Sequence, residues 1–91
     1  SVEKQMRRRV FDHGAFDDFT NWAVLDRKIF LKITELLNSI DNTPYIGLGK
    51  PEPLKFEKAG YWSRRITEEH RLIYKVDNDT IFVASCKGYY H

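Results

Sequence analysis

The sequence predicts an α+β domain in which two N-terminal helices pack on an antiparallel-rich sheet of about five strands. Three observations lead there. Two consecutive stretches in the first half carry apolar residues at helical spacing. The second half alternates short β-prone runs with turn residues. A proline- and glycine-bearing stretch separates the halves. The chain has 91 residues, 42% of them apolar and 14% aromatic. That is enough for one core and one domain, 1–91.

Taken in order, Arg7–Asp12 reads as a short strand. Met6 just before it reads as a natural start, with Ser1–Gln5 a frayed tail or an expression remnant. A first helix is expected over His13–Val24, with Phe16, Phe19, Trp22 and Ala23 at helical spacing. A second is expected over Asp26–Asp41, capped by Asp26, with Ile29, Ile33, Leu36, Leu37 and Ile40 facing the core. Pro44 prevents the helix from continuing. Tyr45–Pro51 then reads as a flexible connection. Gly47 and Gly49 lie near Lys50, but the spacing of a phosphate-binding loop is absent. Strands follow over Glu52–Phe56, Tyr61–Thr67, Arg71–Asp77 and Thr80–Cys86, with turn chemistry at Glu57–Gly60 and Asp77–Asp79. Helices on one sheet face leave the other partly open.

Composition narrows the function only a little. Net charge is +2, too mild to argue for nucleic acid by itself. Cations concentrate between Lys50 and Arg71, among four carboxylates, and again at Arg7–Arg9. The Arg7–Arg9 cluster reads either as a solvated strand edge or as a phosphate-contacting patch. A single cysteine, Cys86, excludes an internal disulfide, and a reducing cytoplasm suits it. No run is long and apolar enough to span a membrane. The histidines and the cysteine are not spaced as a zinc motif, so no metal site is expected. Cys86 reads as a buried thiol, His13 as a surface residue, His70 as a structural hydrogen-bonding group, Trp62 as core, and Glu68 and Glu69 as solvated turn charges.

Strand alternation puts Ser63 and Arg65 on one face and Trp62, Arg64 and Ile66 on the other. In the next strand Arg71, Ile73 and Lys75 oppose Leu72, Tyr74 and Val76. Cations, aromatics and a carboxylate near one open face suit RNA, which is held by phosphate contacts and by stacking of splayed bases. Periodicity by itself does not decide between that surface and a solvated charged face.

Two longer runs say more. Gly49-Lys50-Pro51-Glu52-Pro53-Leu54-Lys55 and Gly60-Tyr61-Trp62-Ser63-Arg64-Arg65-Ile66-Thr67-Glu68-Glu69-His70-Arg71-Leu72-Ile73-Tyr74 resemble signatures of the YoeB/Txe toxins of the RelE/ParE superfamily. Ala84–Tyr90 and the helical half, through Phe16-Asp17-Asp18, Trp22, Asp26-Arg27-Lys28 and Lys32–Leu37, are similar to the same family. The likeness runs from about Arg7 to Tyr90. It implies the microbial-RNase fold of those toxins and cleavage of messenger RNA in the ribosomal decoding site. The implied reaction uses no metal or other cofactor. The RNA 2′-hydroxyl attacks the adjacent phosphorus and leaves a 2′,3′-cyclic phosphate and a 5′-hydroxyl. By the same resemblance Glu52 is the general base, Arg71 stabilises the phosphorane, Lys55 and Arg65 are accessory cations, and Tyr90 positions the RNA.

These roles make physical sense. A carboxylate can take the proton of a poorly nucleophilic hydroxyl. A guanidinium fork matches the oxygens on which phosphoryl charge gathers. Glu52 lies between two prolines that restrict its backbone, and partial burial would make it a stronger base.

The resemblance breaks at one position. The family pattern has a proton-donating histidine before the near-terminal tyrosine, and here Tyr89 stands there, followed by Tyr90 and His91. Three readings stay open: Tyr89 attenuates cleavage, Tyr89 itself donates the proton, or His91 substitutes. An attenuated toxin would still bind antitoxin and ribosome. A third possibility is a protein-targeting toxin like the gyrase-poisoning ParE branch, which is not expected to carry the Glu52, Arg65 and Arg71 set. The partners implied by resemblance are a YefM-like antitoxin, the ribosome with its messenger RNA, a second copy of the chain, and operator DNA only through the antitoxin.

Overall fold

The structure, a computed structural model, describes residues 6–89. Ser1–Gln5, read above as a tail, and Tyr90 and His91 lie outside the described residues. The elements run β1 (Arg8–Phe11), α1 (His13–Leu25), α2 (Arg27–Asn42), β2 (Glu52–Pro53), β3 (Trp62–Arg65), β4 (Arg71–Val76) and β5 (Thr80–Ser85). The strands form a five-stranded sheet in the order β1-β5-β4-β3-β2. Neighbours are antiparallel except β1, which runs parallel to β5. The expected α+β architecture is therefore the observed one, with a mixed sheet.

Asp26 forms the joint between the helices. Its N–H donates to the Trp22 carbonyl at 2.9 Å and ends α1, while its carboxylate accepts from the N–H groups of Lys28 and Ile29 and caps α2. The α2 stripe Ile33, Leu36, Leu37 and Ile40 is buried against Leu72, Tyr74, Ile81 and Val83 of the sheet. In α1 the inward side is Ala15, Phe19 and Trp22. Phe16 and Ala23, expected on the same stripe, turn outward because the packed arc of this helix is narrower than its apolar content.

Two sequence expectations change. The strand from Glu52 ends at Pro53, and Phe56–Lys58 forms a 3-10 turn. Pro51 and Pro53 have no N–H to give a ladder, so only a short edge strand survives. Two members of the Arg7–Arg9 cluster are engaged by the protein rather than solvated, and Arg8 is exposed. The Arg7 N–H and the Arg9 guanidinium both bond the Asp41 carboxylate, at 3.0 and 2.7 Å, and tie β1 to the end of α2.

The connection after α2 is pinned rather than flexible. Arg64, 0% exposed, points from β3 into the core. Its guanidinium donates to the carbonyls of Thr43, Ile46 and Leu48, to Ser39 Oγ and to the Tyr74 hydroxyl. The Tyr74 hydroxyl in turn donates to the Pro44 carbonyl at 2.7 Å. A buried cation with five neutral acceptors is solvated by the loop itself, which fixes the path of the loop.

Candidate functional site

The sheet register assembles the site on the face away from the helices. Glu52 pairs with Ser63, Ser63 with Ile73, and Arg65 with Arg71. A small cavity of ≈ 50 Å³ is lined by Lys50, Glu52, Ser63, Arg65, Arg71 and Tyr89. Three cations and one carboxylate thus surround a single space. Glu52 is exposed, because β2 is an edge strand with nothing packed above it. Among the described residues its carboxylate has no ion-pair partner; the ion pairs there are Arg9–Asp41 and His13–Asp17.

The loop before Glu52 is held by close approach. The Gly49 carbonyl accepts from the Arg65 N–H at 2.6 Å. Gly49 has φ +83°, and an added Cβ would lie 2.8 Å from Leu36 Cδ2 and 3.1 Å from the Arg65 carbonyl. Only glycine fits there. Lys50 follows, also at positive φ (51°), which delivers its side chain to the cavity.

Arg71, 8% exposed, is anchored along one edge. Its Nη1 donates to the carbonyls of Thr67, Glu68 and His70. Its Nε and Nη2 have no hydrogen-bond partner among the described residues, so the rest of the fork is open to an incoming anion. The Tyr89 ring lies over the guanidinium, with Cζ 4.1 Å from the ring centroid. The tail carrying Tyr89 is fixed at two points: the Arg71 N–H donates to the Gly88 carbonyl, and the Gly88 N–H donates to His70 Nδ1, both at 2.9 Å. The His70 ring meets the edge of Trp22, whose Nε1–H donates to the Cys86 carbonyl.

Of the residues expected at the site, Glu52, Arg65, Arg71 and Tyr89 converge. Lys55 is exposed at the start of the 3-10 turn and does not line the cavity. Tyr90 lies outside the described residues. Lys50 and Ser63 were not singled out as site residues. Ser63 was detectable only through its register with Glu52, and Lys50 only once the loop path is known. His70 has the structural hydrogen bond expected of it, His13 is exposed, and Trp62 is half-buried against Tyr45. Cys86 is fully buried. Burial, followed by the nearby Asp18 charge, pushes its thiol up to about 12, so it is no nucleophile at neutral pH. Among the described residues no group of three or more His, Cys, Asp or Glu side chains gathers as metal ligands would.

The chain resembles known proteins along most of its length. A family model described as a YoeB-like toxin of bacterial type II toxin–antitoxin systems matches residues 11–91. Toxin YoeB of Escherichia coli is 46% identical over 81 residues, covering 89% of this chain and 96% of that protein. Toxin RelK of Mycobacterium tuberculosis is 45% identical over 85 residues, covering 93% of this chain and all of that protein (100%). The YoeB dimer from Staphylococcus aureus superimposes with a TM-score of 0.89 at 46% identity, over 93% of this chain and 99% of that one. A YoeB–YefM complex from the same organism gives 0.86 at 46% identity, over 92% and 98%.

Proposed function

Because the chain belongs to the YoeB-like toxins of bacterial type II toxin–antitoxin systems, we propose that it is a metal-independent endoribonuclease that cleaves messenger RNA on the ribosome and so stops translation. The observation that carries this reading is the shared cavity of Glu52, Arg65, Arg71 and Tyr89. Had Glu52 and Arg71 faced opposite sides of the molecule, no cleavage could be assigned to them.

In the proposed reaction Glu52 takes the proton of the RNA 2′-hydroxyl. The 2′-oxygen attacks the adjacent phosphorus, the bond to the 5′-oxygen breaks, and a 2′,3′-cyclic phosphate and a 5′-hydroxyl result. The free edge of Arg71, with Arg65 and Lys50, meets the negative charge gathering on the non-bridging oxygens. The departing 5′-oxygen needs a proton, and Tyr89 is the phenol beside Arg71. Lys55 and Tyr90 are proposed to contact the RNA further out.

A second reading has its own support: an attenuated toxin that still binds antitoxin and ribosome. Tyr89 stands where the family pattern has a histidine, and its ring covers part of the Arg71 guanidinium. A phenol titrates near 10 against about 6.5 for imidazole, so it is the poorer match to a proton-transfer step at neutral pH.

The partners follow from the relatives. A YefM-like antitoxin is proposed to cover the cationic face and to carry any operator contact. Self-association is proposed through the helical side, where Val24 and Leu25 are 86% and 74% exposed. The proposed site of action is the bacterial cytoplasm. No helix among the described residues is long and apolar enough to cross a membrane.

A ribosome-dependent cleavage assay tests the reading. The chain should give codon-phased cuts in messenger RNA, and Glu52→Gln should lower the rate roughly 10²–10⁴-fold. Tyr89→His should raise it if Tyr89 attenuates. DNA breaks without RNA cuts would instead indicate a protein-poisoning toxin.

A further inference from the structure

Two cross-strand rows lie side by side on the open face of the sheet. The first is Glu52–Ser63–Ile73, at the catalytic cavity. The second lies two residues further along β3 and β4. Lys75 pairs with Phe82, and Phe82 with Val10. Tyr61, one step before Trp62, falls opposite Lys75, one step after Tyr74. The side chains confirm the row. The Lys75 ammonium sits 5.2 Å from the Tyr61 ring centroid and 5.3 Å from that of Phe82, and Lys58 reaches the Tyr61 ring at 5.7 Å. Two residues of strand span about 6.6 Å, so the rows are close neighbours.

The surface above them is continuous. A hollow of ≈ 190 Å³ shares Tyr89 with the catalytic cavity. It shares Lys58 and Ala84 with a larger hollow of ≈ 440 Å³ over Tyr61 and Phe82. Around these two hollows the cations are Lys58 and Lys87, and the carboxylate is Asp12.

We propose that the Tyr61–Lys75–Phe82 row is a stacking platform for RNA nucleotides flanking the linkage to be cut. This rests on the nuclease reading and extends its site. Aromatic rings offer stacking faces that accept any base, and ammonium groups between them meet the linking phosphates. Ring and cation alternate along the row, and the hollow over it is joined to the catalytic cavity through the smaller hollow that Tyr89 lines. An acidic protein segment could use the cations. It would gain little from a ring–cation–ring ladder that leads to a catalytic pocket, so RNA is the occupant the arrangement favours.

Fluorescence anisotropy of the full chain with two 2′-O-methyl RNAs, a dinucleotide and a hexamer, tests this. Both RNAs resist cleavage because the attacking hydroxyl is blocked. The hexamer should bind roughly tenfold or more tighter than the dinucleotide. Tyr61→Leu combined with Phe82→Leu should abolish that gain and leave the dinucleotide affinity unchanged. Lys75→Gln, at an exposed position, should reduce the gain without disturbing the fold, which guards against misfolding of the double variant. A hexamer that binds no better than the dinucleotide overturns the platform but not the nuclease. Failure of both RNAs to bind also overturns the platform, while the ribosome-dependent cleavage assay decides the nuclease separately. Variants that keep full hexamer affinity but lose an aspartate-rich peptide assign the row to a protein partner and overturn the proposal.

Discussion

His70 meets the C-terminal tail at Nδ1, where the Gly88 N–H donates at 2.9 Å, so the neutral ring carries its proton on Nε2. This bond and the Arg71–Gly88 backbone bond together set where Tyr89 lies. His70 is thereby a positioning residue, and its substitution should separate placement from folding. His70→Asn puts an amide oxygen near the lost Nδ1 and should keep most ribosome-dependent cleavage. His70→Ala should lower kcat roughly tenfold, the worth of about one hydrogen bond, with KM little changed. Equal losses in both variants would remove the latch. At this scale the sequence is unevenly legible. Glu52, Arg71 and Tyr89 are read from long motifs, and His70 was expected to bond structurally. The role of Arg64 was hidden, although alternation placed it on the core face, because its acceptors lie in a loop whose path no periodicity reveals.

The helices show how short a joint can be. Asp26 ends α1 with its N–H and caps α2 with its carboxylate. Asp26→Ala should cost about 1 kcal/mol. For a domain of this size that is a fall of about 4–8 °C in Tm, measurable by thermal denaturation. Asp26→Asn should cost less, since its oxygen still accepts. Both helices were legible because an apolar stripe and a capping residue are local signals. β-prone residues continue past Pro53, so the sequence predicts a longer strand from Glu52 than the one that forms. What stops the strand is the lack of donors at the two prolines and the turn at Phe56, whose φ is 57°. The parallel pairing of β1 was not legible at all, since it joins residues at opposite ends of the chain.

Across the whole molecule, two buried acidic groups make the fold less stable at alkaline pH. Burial pushes the Cys86 thiol from 9.0 to about 12. Burial also raises the Tyr74 phenol above 10.0, with Arg64 opposing in part. In both cases the folded state holds its proton at a pH where the unfolded chain has lost it. Stability from these groups is therefore complete below about pH 9 and falls as pH rises from there toward 12. Urea midpoints should be flat from pH 7 to 9 and decline above, and Cys86→Ala should flatten the first part of that decline. A midpoint that stays level to pH 11 would contradict the burial of the thiol.

The placement of β1 beside β5 has a consequence for how a cell makes this molecule. The strand that leaves the ribosome first can be zipped into the sheet only after the last strand has emerged, because Arg8–Phe11 finds its partners at Thr80–Val83. The tail that places Tyr89 over Arg71 emerges later still. A copy that lacks β5 and the segment after it therefore has neither β1 in the sheet nor Tyr89 over Arg71, and its site is incomplete.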